Sequence, residues 1–132
     1  MSKRSAGGPF DVQTLPQAAE ADTSYLAIAR LLLDKKFHGA LDAVSKGQML
    51  ATGGEGGWGV YVAMEKVSGR LDGRAGSFVL YHSGTMDKDG QHLDVTVAPG
   101  SGSGDLAGIT GQMTIEIVNG AHSYVFEYEL PD

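Results

Sequence analysis

The stretch VYVAMEKVSGRLDGRAGSFVLYHSG, Val60 to Gly84, decides the fold. Its Asp72-Gly73 dipeptide suits a two-residue hairpin turn, because both residues tolerate the positive φ that such turns require. Pairing outward from that turn sets Leu71 opposite Arg74, Gly69 opposite Gly76, Val67 opposite Phe78, Glu65 opposite Leu80 and Ala63 opposite His82. A strand repeats every two residues, so one face carries Tyr61, Ala63, Glu65, Val67, Phe78, Leu80 and His82. One carboxylate and one imidazole therefore lie diagonally on an otherwise apolar face, roughly 7–8 Å apart at the backbone. Asp89-Gly90 signals the next turn and adds Leu93, Val95 and Val97 to the same face. The opposite face is mostly polar, with Lys66, Ser68, Ser77, Ser83, Thr85, His92, Asp94 and Thr96.

The closing segment follows the same rule. Pairing from Asn119-Gly120 puts Met113, Ile115, Ile117, His122, Tyr124, Phe126 and Tyr128 on one face. Gln112, Thr114, Glu116, Ser123, Glu127 and Glu129 take the other. Three aromatic rings in line on one strand make a large apolar wall. In an eight-stranded barrel such a wall either fills the interior or lines a space for one small ligand, and both readings stay open here.

The chain has 20 glycines among 132 residues, and many fall singly inside strand patterns, as at Gly69, Gly76, Gly84 and Gly111. Isolated strand glycines mark bends and close approaches in a curling sheet. The expected fold is an all-β, antiparallel, eight-stranded barrel in a single domain, residues 1–132. Little helix is expected, at most a turn or two between Gln17 and Ala29. Residues 1–9 are expected to form a flexible arm, with Phe10 to Leu15 as the first strand. Ala27 to Val44 is expected to be mostly strand, followed by a turn at Lys46-Gly47 and a strand from Gln48 to Thr52. A glycine loop from Gly53 to Gly59, holding Trp58, is placed to cover a barrel mouth. Gly100 to Gly104 is expected to be a flexible loop, and Leu106 to begin the closing hairpin.

Composition narrows the function. There is no cysteine, which removes disulfides, thiolate metal sites and a cysteine nucleophile together. A formal net charge of -6 disfavours a nucleic-acid partner. The apolar run from Tyr25 to Leu33 is interrupted by Arg30 and is too short to span a bilayer, so a soluble cytoplasmic protein with no membrane partner is expected. Gly54-x-Gly56-x-x-Gly59 matches a dinucleotide-binding string, but strand residues follow it where a helix is needed. His38, His82, His92 and His122 lack metal-ligand spacing, so neither a metal nor a cofactor is expected.

Several strings carry a likeness to a known family. They are Lys36-Phe37-His38-Gly39, Ser45 to Leu50, Tyr61 to Gly69, Gly76 to Met86, Gly104 to Gly111, and His122-x-Tyr124-x-Phe126-x-Tyr128-x-Leu130-Pro131. From about Phe10 onward the chain resembles a family of small bacterial proteins known only as a domain of unknown function. The barrel of that family is similar to that of allene oxide cyclase. The resemblance implies an eight-stranded barrel of the cyclase-like or lipocalin-like kind, often in small oligomers. It implies no established activity, and no site residue transfers from the cyclase, because fold does not carry function.

Two functions are expected from the residues themselves. One is a cofactor-free cyclase or isomerase acting on a small apolar or aromatic molecule. There Glu65, its pKa raised by burial, and His82 move a proton. Tyr61, Phe78, Met113, Tyr124, Phe126 and Tyr128 would line the ligand space, with the two later phenols holding a carbonyl. The alternative is a non-catalytic binding or carrier module, or a packed structural barrel in which Glu65 and His82 only hold two strands together. Val60, Val62, Met64, Val79 and Tyr81 on the outer face predict a homo-oligomer, with a dimer favoured.

Overall fold

The computed structural model describes residues 2–18 and 27–131. Among the described residues nine strands form one antiparallel sheet: β1 Ser2–Gln17, β2 Ala29–Phe37, β3 Leu41–Gly53, β4 Gly59–Leu71, β5 Arg74–Asp87, β6 Gly90–Val97, β7 Ser103–Gly104, β8 Thr110–Val118 and β9 Ala121–Leu130. Neighbours run β4-β3-β2-β1-β9-β8-β6-β5-β7, and β4 also pairs with β5. Eight strands thus close in an up-and-down barrel, and the two-residue β7 is an extra strand on β5. Closure gives nearly every strand two neighbours and so removes the exposed edges of an open sheet.

The two hairpins read from sequence have the expected registers. Leu71 faces Arg74, Glu65 faces Leu80 and Ala63 faces His82. Val118 faces Ala121, Met113 faces Phe126 and Ile115 faces Tyr124. The β5–β6 turn differs by one position. Asp87 pairs with Gly90, so the turn is Lys88-Asp89, and the Asp87 carboxylate accepts a bond from the Asp89 amide at 2.8 Å. The register slides by two residues, which leaves every side chain on its expected face.

Four expectations are corrected. Residues 2–9 are not a flexible arm but the first half of β1, paired with β9 from Ser2–Leu130 to Phe10–His122. Only from Phe10 onward does β1 pair with β2. The carbonyl of Pro9 accepts the His38 amide on the side away from β9, so its missing N–H costs no ladder bond. The turn expected at Lys46-Gly47 lies inside β3. The chain reverses instead at His38–Ala40, where Gly39 has φ +95° and the Tyr124 hydroxyl donates to the His38 carbonyl at 2.6 Å. That hydroxyl also accepts the Leu41 amide, at 3.1 Å. Gly47 serves a different need. A Cβ there would stand 2.7 Å from the Glu65 Cα, so only glycine lets β4 approach so closely.

The stretch expected to be a loose glycine loop is also bonded in place. Ser103–Gly104 forms β7 against Gly76–Ser77, and the Ser101 hydroxyl accepts the Val79 amide at 3.0 Å. Lastly, the closing hairpin begins at Thr110, because residues 105–109 turn on themselves, with the Ile109 amide donating to the Leu106 carbonyl, and seat Leu106 and Ile109 inside the barrel. The helical turns considered between Gln17 and Ala29 fall mostly on residues 19–26, outside the described residues. Gln17 and Ala29 are themselves strand.

Candidate functional site

Inward-facing residues fall into two halves. Toward the end that holds the 38–40 and 72–73 turns and the 98–109 connection, the interior is sealed by Leu41, Leu71, Leu106, Ile109 and Leu130, all buried. Behind them Phe126 stacks on Phe78 and Tyr128, with centroids 5.5 and 5.4 Å away, and Phe37 meets Tyr124 edge-on at 5.5 Å. The Tyr128 hydroxyl donates to the Asp72 carboxylate, so burial first and that bond second push its phenol up to about 12. Five of the expected ligand-lining residues, Phe78, Met113, Tyr124, Phe126 and Tyr128, therefore lie in this packed core. The two hydroxyls expected to hold a carbonyl are bonded within the protein.

The other end is different. Leu31, Met49, Tyr61 and Ile115 point inward by strand parity yet are only half-buried. Nearer the rim, the inward Leu93 and Ile117 are 38% and 62% exposed. Tyr61 lies over Gly84, where any side chain would collide with its ring. Trp58 stands in the 54–58 loop of this end and rests on Gly54.

Between the halves sits a buried polar cluster: Lys35, Ser45, Glu65 and His82 are 6%, 1%, 1% and 5% exposed. Glu65 Oε2 accepts from Lys35 Nζ at 2.7 Å and from His82 Nε2 at 2.6 Å. Its Oε1 accepts from the Ser45 hydroxyl at 2.8 Å. The Lys35 ammonium also lies 5.3 Å from the Phe10 ring centroid and 5.9 Å from that of Phe37, within cation–π range. Every bond made by the carboxylate favours its ionised form.

The structure joins the expected pair, Glu65 and His82, and reverses one expected property. Burial is the largest influence and by itself raises the Glu65 pKa. The His82 hydrogen bond and the Lys35 charge together outweigh it and hold the carboxyl down to about 2. Glu65 is a fixed anion, not a carboxyl poised near neutrality. Sequence reading missed Lys35 and Ser45. The available signal was the alternation Leu33, Lys35, Phe37, which places a lysine between two apolar residues on an inward face. Around the pair, burial and then the Glu65 charge raise the phenol of Tyr61.

Among the described residues no three His, Cys, Asp or Glu side chains gather as metal ligands. No helix among them is long and apolar enough to cross a membrane. Among the described residues the outer wall carries shallow grooves of about 250 Å³ beside Lys3, Gln112 and Glu127 and of about 370 Å³ beside Leu15, Leu32 and Gln48. Neither contains a residue of the cluster.

Residues 6–128 match a family described as "Protein of unknown function (DUF3224)". A crystal structure of a protein with unknown function from that family, from Shewanella oneidensis MR-1, is 41% identical to the chain. The likeness covers 99% of both chains with a TM-score of 0.88. No curated protein matches the chain.

Proposed function

The chain belongs to the DUF3224 family, and because that family's description assigns no activity, we propose a function from the barrel's own geometry: binding of a small apolar or aromatic molecule at the half-open end. The observation that carries this reading is the contrast along the interior. Residues of equal apolar character are sealed at one end, while Leu31, Met49, Tyr61 and Ile115 stay half-buried at the other. Apolar side chains that face inward and still meet water gain from a ligand that displaces it, at about 25 cal/mol per Å² covered. Below them the polar cluster provides a floor able to orient one end of a guest.

Binding without chemistry is the better supported form. A general acid or base works best with a pKa near the working pH, and Glu65 is held far below that range with both oxygens occupied. The test is a titration of ¹⁵N-labelled protein with toluene. Amide shifts clustered at Leu31, Met49, Tyr61 and Ile115, and abolished by Ala51→Trp in the same mouth, are expected. Shifts that are absent, or scattered over the outer wall, overturn the reading.

The outer face supports a second proposal, on assembly. Leu50 pairs with Val62 and Met64 with Tyr81 across β3, β4 and β5, and all four are exposed. Such a contiguous apolar patch suits a homodimer. Met64→Asp at its centre is expected to leave a monomer of 13.8 kDa by light scattering. A wild-type protein already monomeric at high concentration refutes it.

A further inference from the structure

We propose that His82 Nδ1 is the acceptor that docks the guest, so that the site selects small apolar molecules carrying one hydroxyl or N–H group. This rests on the open-end binding reading and adds the ligand's polar chemistry to it. Glu65 accepts a bond from Ser45 on one oxygen and from Lys35 on the other. A carboxylate in that position carries no proton, so the 2.6 Å contact to His82 requires the hydrogen to sit on Nε2. Lys35 already supplies the counter-charge to Glu65, so the imidazole serves as a neutral donor there and Nδ1 is left as an acceptor, its tautomer fixed by the carboxylate on the far side of the ring.

Among the described residues Nδ1 has no hydrogen-bond partner, although His82 is 5% exposed. No sealed side-chain nitrogen or oxygen among them lacks a partner, so Nδ1 is not a sealed, unsatisfied atom. The side from which a guest would reach it is the open half. His82 faces inward on β5, the interior below it is closed by Leu80, Phe78 and Leu106, and Tyr61 stands 6.4 Å away on the mouth side. An acceptor set below apolar side chains discriminates by what it leaves unpaired. A guest with a donor pairs with it, whereas one without strips its water and returns nothing.

The other two polar side chains of the floor each give a hydrogen to Glu65. Lys35 bonds Glu65 and faces the Phe10 and Phe37 rings, and Ser45 donates to Glu65. Selection for a donor therefore falls to His82.

The probes are p-cresol, its methyl isostere p-xylene and the carboxylate p-toluate, titrated into ¹⁵N-labelled protein with the imidazole nitrogens observed directly. We expect p-cresol to bind at the open end ~10-fold more tightly than p-xylene, the discrimination one hydrogen bond supplies. The Nδ1 resonance should move on binding while the Nε2 resonance holds. His82→Phe should erase the preference between p-cresol and p-xylene. If that variant does not fold, the wild-type Nδ1 signal decides alone. Equal binding of p-cresol and p-xylene at the open end overturns the acceptor role and leaves the binding reading standing. An unmoved Nδ1 signal, or tightest binding of p-toluate, also overturns it. No binding of any probe at the open end fails both.

Discussion

The half of the barrel bounded by Leu41, Leu71, Leu106 and Leu130 excludes water, while the half bounded by Met49, Tyr61, Leu93 and Ile117 admits it. The same eight strands pass through both. What differs is the connections. At the closed end the chain spends residues 98–109 between β6 and β8, long enough to turn inward and set Leu106 and Ile109 in the lumen. At the open end, among the described residues, the β5–β6 and β8–β9 turns have two residues each and no apolar side chain, and the 54–58 loop leaves Trp58 47% exposed. A barrel of this size has a lumen near the limit of what strand side chains fill, so an extra plug decides which half is core.

That comparison is sharpest where a single ring is removed. Phe126→Ala, in the stacked core of the closed half, is expected to cost ~3–5 kcal/mol in urea denaturation, because the cavity left there cannot collapse. A cost near that of a surface substitution breaks the distinction between the halves.

The border cluster comes next. Lys35→Met strands a buried Glu65 carboxylate and is expected to cost ~3–5 kcal/mol, and adding Glu65→Leu should restore part of the loss. If the double variant is no better than the single one, Lys35 acts by packing on Phe10 and Phe37 and not as a counter-charge.

Acid tests the same carboxylate without mutation. The folded pKa of Glu65, about 2, lies below its ordinary value of 4.5. A depressed carboxyl contributes stability that is complete above the ordinary value and lost as pH falls through the folded one. Between pH 4.5 and 2 the loss from this group is expected to be on the order of 3 kcal/mol. Comparison of wild type with Lys35→Met across that window should show a shallower decline in the variant.

The smallest effect belongs to the open half. Met49→Ala should cost under ~1 kcal/mol, because a half-buried side chain beside solvent leaves no sealed void. A cost equal to that of Phe126→Ala means that the mouth is packed core after all.

Much of the scaffold was legible because its information is local. Asp72-Gly73 and Asn119-Gly120 fix two registers, and period two then assigns each side chain a face. That was enough to bring Glu65 and His82 together, and to survive the displaced β5–β6 turn. Lys46-Gly47 misled because a glycine required by close approach to Glu65 looks, in one dimension, like a glycine required by a turn. Residues 2–9 misled because their partner, β9, comes more than a hundred residues later.

By itself, then, the sequence determined the hairpins, their inner and outer faces, and a carboxylate beside an imidazole on the inner one. Only the tertiary structure decided that Lys35, thirty residues away, neutralises that carboxylate. It alone decided too that the aromatic wall belongs to a sealed half and the mouth to another. The reason is physical: parity within a hairpin follows from its own turn, whereas charge partners and lumen filling depend on which strands closure brings face to face.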